Sequence, residues 1–459
     1  MKSKRIVVLL KYYKGELNPF DGAALECALE SNAKEIIALS MAPMSALNAF
    51  QGLTRLGVKG VFISDPSYAG SDTQATSMIL AEALKRLDPD LIFCGRQSVD
   101  GDTAQVPPMV AQWMGFDIKI KVIAFNNGRF TLRSSESFAI QDKTVFTFEK
   151  IRTLRFPSIF SKLGEVEIWD NNVLGLPQEK CGLKGSPTRV IKSYESSVGR
   201  RNCRFVEMEQ LASLIDSGLK KERTQQSMQE GEKLENAYFV GNVRLVAERV
   251  ANHVTELVTE GKTPEQVAEE LKNQNVKTVF WEDSENLKVL ASKVAVLTGA
   301  GLCADCISFR VEDGKFVMTR PALGGNVTAD IVATSEMAFA TVRTVKKEGS
   351  DVIFSVGKGG ADEIVRIQAL AKKYGAEVCC SRIVADSGKL PYEKQVGLTG
   401  RTVCPKVYVA FGISGAVQHT CAISGAGTVI AVNTDKNARI FDYADYGIIG
   451  DIKNIMVGE

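Results

Sequence analysis

The feature that most constrains this chain is a rhythm. Short apolar runs alternate with amphipathic stretches, and polar, glycine-bearing loops follow several of the runs. Arg5–Leu10, Glu35–Met41, Val61–Ser64 and Leu91–Cys94 are strand-length and turn-bounded. Between them, Pro43–Leu56 reads as a helix closed by Gly57, and Asp72–Leu87 as one stopping before Asp88-Pro89. The rhythm returns later: strands at Val352–Ser355, Glu377–Cys380, Val407–Phe411 and Thr428–Asn433, with a helix over Ala361–Tyr374. In the middle, Val240–Glu260, Pro264–Lys272 and Leu287–Leu297 read as helical and Thr278–Trp281 as a strand. The pattern predicts an α/β protein of doubly wound, mostly parallel sheets. Such sheets bind ligands beyond the carboxyl ends of their strands. Phe125–Phe130, with Asn127-Gly128 in the turn, predicts a hairpin that extends the first sheet antiparallel.

Composition removes other classes. Lys+Arg 56 against Asp+Glu 54 leaves +2, too balanced for a nucleic-acid footprint. A hydrophobic fraction of 45% at near-zero charge excludes a disordered chain. No apolar run approaches the roughly 18 residues of a membrane helix, and Ile6–Leu10 is short for a signal segment, so a cytoplasmic protein is expected. Ten cysteines then imply reduced thiols. The one CxxC, Cys303–Cys306, has no second Cys/His pair beside it, so a structural role is expected and no metal site. Residues 220–235 are the strongest linker candidate, read equally well as an exposed helix.

Four segments can carry binding chemistry. Gly357-Lys358-Gly359-Gly360 lies between a strand and a helix, where backbone N–H groups can meet a phosphate. Cys94–Gln105 is a polar loop after a strand, with Gly101 free for positive φ and Asp102 and Thr103 as caps for a helix starting near 103. Gly412–His419 repeats the arrangement, with Ser414 and Gly415 at a helix start. Ser381-Arg382 ends a strand, where Arg382 can cover a ligand. Each also has a plainer reading as a turn, a cap or a surface ion pair. No hydrolytic triad, metal cluster or Walker loop is present, so a cofactor is expected to supply any chemistry.

These residues sit in longer ordered motifs. CSRIVADSGKLPYEKQVGLTGRTVCPKVYVAFGISGAVQH and TVIAVNTDKNARIFDYADYGIIGD closely resemble the FAD-binding domain of the electron transfer flavoprotein α subunit. NPFDGAALECAL, GRQSVDGDTAQV and GLKGSPTRV resemble the β subunit of the same family. The resemblance implies a natural β–α fusion: a β-like nucleotide domain over 1–195 with an adenine-nucleotide-hydrolase-like fold, and an arm and linker over 196–240. A truncated α domain I over 241–346 and the FAD-binding domain over 347–459 would follow. A polar hinge is expected at 346–351.

The resemblance also implies roles. Arg382 would lie over the flavin, Thr399 near its N5 and His419 near its C2 carbonyl. Ser414, Gln418, Asn433 and Asp445 would hold the ribityl, diphosphate and adenosine portions, with Ser381, Gln395, Gly400 and Gly415 in the same motifs. A guanidinium about 4 Å from a unit negative charge is worth about 4 kcal/mol at an effective dielectric of 20. In the N-terminal half, Leu9, Asn18, Met41, Gly95, Gly101, Thr103, Gln105 and Val106 would line a second site for FAD or AMP. Asp100–Val106 resembles the FAD-holding, electron-bifurcating form, so FAD is preferred and NADH becomes a possible donor. The implied partner is an acyl-CoA dehydrogenase-like flavoenzyme. The chain departs from the family in a short Tyr12–Leu17 loop, in Gly397-Leu398-Thr399-Gly400, and in a shortened partner-recognition segment near Arg155–Phe160. These departures leave a second reading open: an assembly subunit that holds AMP and no longer transfers electrons.

Overall fold

A computed structural model describes residues 1–126, 129–132, 136–195, 200–220, 231–323, 327–342, 350–397 and 400–455. The expected Asn127-Gly128 turn, most of the 220–235 linker, most of the 346–351 hinge and Thr399 lie outside the described residues. The chain forms two compact units. One comprises residues 1–192, 231–323 and 329–342; the other comprises 193–230, 324–328 and 343–459.

Among the described residues of the first unit, one sheet has nine strands. From one edge its first seven strands run Val166–Trp169, Lys59–Ile63, Glu35–Met41, Arg5–Leu10, Leu91–Gly95, Thr144–Phe148 and Asp117–Asn126, all parallel. Arg129–Leu132 and Ser137–Ala139 extend it antiparallel, as the hairpin signal implied. Ile6, Val7 and Val8 are fully buried, because a strand covered on both faces turns all its side chains into core. Within this strand, even-numbered Ile6, Val8 and Leu10 join one cluster and odd-numbered Val7 and Leu9 the other. Thr73–Leu87 is started by Asp72, whose carboxylate accepts from the Gln74 and Ala75 amides, and Asp88 ends it in the left-handed conformation.

The same unit holds a second parallel sheet, ordered Ala251–Glu256, Leu234–Val240, Thr278–Glu282, Ala338–Val342 and Gly301–Cys306. Here one expectation fails. Val240–Glu260 is not a helix but the end of a strand, the short helix Arg244–Val250 and the strand Ala251–Glu256. Val243, Ala247 and Val250 keep a helical spacing, but His253 to Glu256 pair with the neighbouring strand, which local periodicity does not register. Cys303 and Cys306 are buried in a bulged strand, with the Cys306 thiol 3.5 Å from the Cys303 carbonyl. No group of three metal-ligating side chains occurs among the described residues.

The second unit is built on a parallel sheet ordered Arg204–Phe205, Tyr446–Ile449, Thr428–Asn433, Val407–Phe411, Val352–Val356 and Glu377–Cys380. Residues 193–220 belong to this unit: Leu211 and Ile215 of the helix Leu211–Lys220 pack with Val352, Val407 and Phe411. A Cβ on Gly218 would lie 2.7 Å from Val407, so glycine lets the helix approach the sheet. Among the described residues no helix is long and apolar enough to cross a membrane.

Candidate functional site

In a parallel sheet the ligand crevice opens where successive connections leave in opposite directions. The C-terminal sheet reverses between Val352–Val356 and Val407–Phe411. The loops after these strands are the two glycine loops read from the sequence, and they interlock. Gly359 N–H donates to the Gly412 carbonyl at 3.1 Å, and a Cβ on Gly357 would lie 2.3 Å from that oxygen. Gly412 (φ +61) and Gly415 (φ +84) both adopt the left-handed region.

The flanking strands bring further candidates to this carboxyl edge. Ser381 N–H donates to the Val356 carbonyl, which sets Arg382 beside the switch point. The Arg382 guanidinium contacts Asp386 at 3.3 Å and stays partly exposed. Gln395 is buried and bridges Cys380, and Gly400 packs on the Gln395 carbonyl. Gly397 lies against the Gln418 backbone. Ser414 and Gln418 are exposed at the same edge. Asn433 ends its strand and donates to the Ile413 carbonyl at 2.9 Å. Thr399 is outside the described residues.

His419 is buried, with Nε2 2.7 Å from the Tyr408 hydroxyl and Nδ1 without a hydrogen-bond partner. Burial pushes its pKa down to about 4, so the ring is neutral at pH 7. An orphaned buried nitrogen next to glycine loops fits a polar cofactor.

Asp445 is a correction. It precedes the Tyr446–Ile449 strand, so it lies at the amino edge, opposite the crevice. Its carboxylate accepts from Val429 N–H at 2.8 Å and pairs with Arg201 at 2.5 Å. The aspartate at the carboxyl edge is Asp451, two residues past that strand. Gly450 N–H donates to the Asn433 carbonyl, which brings this turn to Asn433. The strand-end rule would have selected Asp451 had the direction of Tyr446–Ile449 been known.

In the first unit the nine-stranded sheet reverses between Arg5–Leu10 and Leu91–Gly95. Leu9, Met41 and Gly95 stand at the carboxyl ends of three adjacent strands. Asn18 is buried; its Nδ2 donates to the Gln97 carbonyl and its Oδ1 has no partner. Gln105 is buried and accepts from Thr73 at 2.9 Å. The loop corrects two details. The helix starts at Val106, not near Thr103, and neither Asp102 nor Thr103 caps it. Positive φ falls on Asp102 (+54) and Ala104 (+55), not on Gly101. Gln97 donates to the Asp102 carboxylate, so that side chain is spent inside the loop.

Sequence reasoning passed over Asp21. Its two oxygens accept from Lys11 N–H and Gly95 N–H, both at 2.8 Å, tying together the strand ends that flank the crevice. Burial pushes its carboxyl up to about 7, opposed by the Lys11 amide, Asn18 and the Gly95 amide. A carboxyl raised in the folded state stabilises most when protonated. Its contribution is therefore full below about pH 4 and lost as pH rises to about 7. Melting curves should show a falling midpoint across that window, flattened in Asp21→Asn; an unchanged slope in the variant would refute the assignment.

Comparison with known proteins agrees with this geometry. Residues 6–135 and again 232–376 match the electron transfer flavoprotein domain, and residues 347–424 match the electron transfer flavoprotein FAD-binding domain. Among curated proteins, the electron transfer flavoprotein subunit alpha of Thermoanaerobacterium thermosaccharolyticum is 34% identical over 213 residues, covering 36% of this chain and 64% of that protein. The acryloyl-CoA reductase electron transfer subunit beta of Anaerotignum propionicum is 36% identical over 209 residues, covering 35% of this chain and 57% of that protein. Protein FixB of Rhizobium meliloti is 31% identical over 209 residues, covering 35% and 59%. The chain thus spans about six-tenths of the length of these relatives. With the flavoprotein domain matched over more than half of its residues, and the FAD-binding domain matched where the glycine loops interlock, the chain belongs to the electron transfer flavoprotein family.

Proposed function

We propose that this chain is an electron carrier with FAD at the C-terminal switch point and a second adenine nucleotide, FAD in preference to AMP, at the N-terminal one. The observation that carries the proposal is the pair of crevices. Each is rimmed by polar loops, and each holds a buried polar atom without a partner, His419 Nδ1 in one and Asn18 Oδ1 in the other. The bound flavin would supply the one-electron redox chemistry. The chain's own residues would position and polarise it. Ser381, Gln395, Ser414, Gln418, Asn433 and Asp451 offer hydrogen bonds along one edge. Arg382 offers a cation whose field favours added negative charge. Neutral His419 can offer a hydrogen bond without a counter-charge.

The proposal includes a natural fusion of β-like and α-like halves, supported by the same domain matching twice in one chain. The four-part division 1–195, 196–240, 241–346 and 347–459 is part of that reading. The electron acceptor would be an acyl-CoA dehydrogenase-type flavoenzyme, consistent with the acryloyl-CoA reductase name of one relative. NADH would serve as donor, with electron bifurcation, only if the N-terminal site holds FAD.

Nucleotides released by denaturing gently purified protein test this directly. Two FADs per chain are expected. One FAD with one AMP would leave a simple one-electron carrier and remove bifurcation and NADH oxidation. A colourless chain with AMP alone would overturn the carrier reading in favour of an assembly subunit.

A further inference from the structure

The N-terminal crevice loop is held in place by residues nearly 200 or more positions away in sequence, within the same compact unit. Its backbone is unusual: Asp102 and Ala104 both occupy the left-handed region that side chains rarely adopt. Such conformations persist only where the surroundings over-determine them. Three hydrogen bonds between the loop and the 301–323 region do so. Arg320 Nη1 donates to the Gly101 carbonyl at 2.8 Å. Leu323 N–H donates to the Asp100 carbonyl at 3.0 Å. Gln105 Nε2 donates to the Leu302 carbonyl at 3.3 Å.

Arg320 is the centre of this arrangement. It is 5% exposed, and its Nε donates to the Ala304 carbonyl at 2.8 Å. One edge of the guanidinium is therefore fixed to the strand Gly301–Cys306 while another reaches the loop. Both acceptors are main-chain carbonyls, so the planar fork sets geometry between two segments. It also leaves a positive charge beside a loop suited to a phosphate-bearing ligand.

We propose that Arg320 is a positioning residue for the N-terminal nucleotide loop, linking nucleotide binding there to the docking of residues 301–323 on residues 98–105. This rests on the reading that the N-terminal half holds an adenine nucleotide. Linkage is reciprocal: whatever docking adds to nucleotide affinity, the nucleotide adds to docking.

The test uses the full chain, stripped of N-terminal nucleotide, with AMP and FAD as probes. Titration calorimetry reads affinity, and hydrogen exchange reads the amides of 98–105. Arg320→Met is expected to weaken binding at least tenfold and to speed exchange in the loop, with FAD retained in the C-terminal unit. Arg320→Lys keeps the charge but cannot serve both carbonyls, so a smaller loss of the same sign is expected. If the Met variant does not fold, the Lys variant decides alone. Wild-type affinity and loop exchange in the folded variants would overturn the role of Arg320. So would a lowered melting temperature with unchanged affinity, the signature of a merely structural residue. A wild-type chain that binds neither AMP nor a second FAD would instead overturn the nucleotide reading, and the linkage with it.

Discussion

Gly415→Ala is expected to abolish FAD binding and to destabilise the C-terminal unit by about 3 kcal/mol or more. Two costs combine at this position. The φ of +84° is strained for any residue with a Cβ. The new Cβ would also sit 2.0 Å from the Ile440 nitrogen and 2.4 Å from the Arg439 carbonyl carbon. Those are backbone atoms beside the fully buried Ile440 side chain, so they cannot swing aside. The loop itself must move, and it carries Ser414 and leads into Gln418 and His419. Gly388→Ala is the matched control: its φ is +73, but nothing lies within 4 Å of its Cβ. That variant should lose only about 1 kcal/mol and keep its flavin. Flavin absorbance and melting temperature of the two variants read the result. An alanine at 415 with full FAD content would sink the assignment of this loop to the cofactor.

The second large effect concerns partner recognition. If the proposed acyl-CoA dehydrogenase-type partner accepts electrons from this chain, replacing Phe156, Ile159 and Phe160 together by serine is expected to slow that transfer about 100-fold or more. The physical ground is exposure. The three side chains are 95%, 84% and 87% exposed, an apolar cluster with no folding role to justify it. The segment is nevertheless held firmly. Arg155 grips Glu26 through its guanidinium at 2.5 and 2.8 Å and through its backbone N–H at 3.0 Å. Arg55 donates to the Ser158 and Ser161 carbonyls at 3.0 and 3.2 Å. A pre-organised apolar tip loses little freedom on docking, and its side chains act as anchors worth about 1–2 kcal/mol each. Stopped-flow oxidation of the reduced chain by an acyl-CoA dehydrogenase should show the loss. Flavin content and melting temperature should not change, because the removed groups touch solvent. An unchanged second-order rate would mean that the partner docks elsewhere.

Strands and turns were legible in the sequence because their causes are local. Residues 6–10, Leu91–Gly95 and Val407–Phe411 are continuous apolar runs buried at every position, as a strand covered on both faces requires. Gly57, Gly299 and Gly375 end their elements at positive φ, which glycine alone adopts without strain. The position of the polar, glycine-bearing loops directly after buried strands was legible for the same reason, although each could equally have been a plain turn or cap.

Other features were illegible because they depend on register and long-range partners. Asp445 and Asp451 lie six positions apart in similar company. Only the parallel pairing of Tyr446–Ile449 with Ile430–Asn433 sends one to the amino edge and the other to the crevice. The helix Arg244–Val250 and the strand Ala251–Glu256 share one apolar pattern, and pairing with Leu234–Val240 decides where one ends. Asp21 drew no reading from the sequence, because its partners are the two strand ends that fold onto it. Arg320 reaches the Gly101 carbonyl, 219 positions away, at 2.8 Å, a contact that only the folded chain creates. Alternation of elements and the glycine turns are written in the chain, because they follow from side-chain size, periodicity and local backbone freedom, while the resemblance to the family is carried by the long ordered motifs. The tertiary structure alone decided which polar groups meet at each crevice, because a hydrogen bond between distant segments depends on where the packed sheets deliver its two ends.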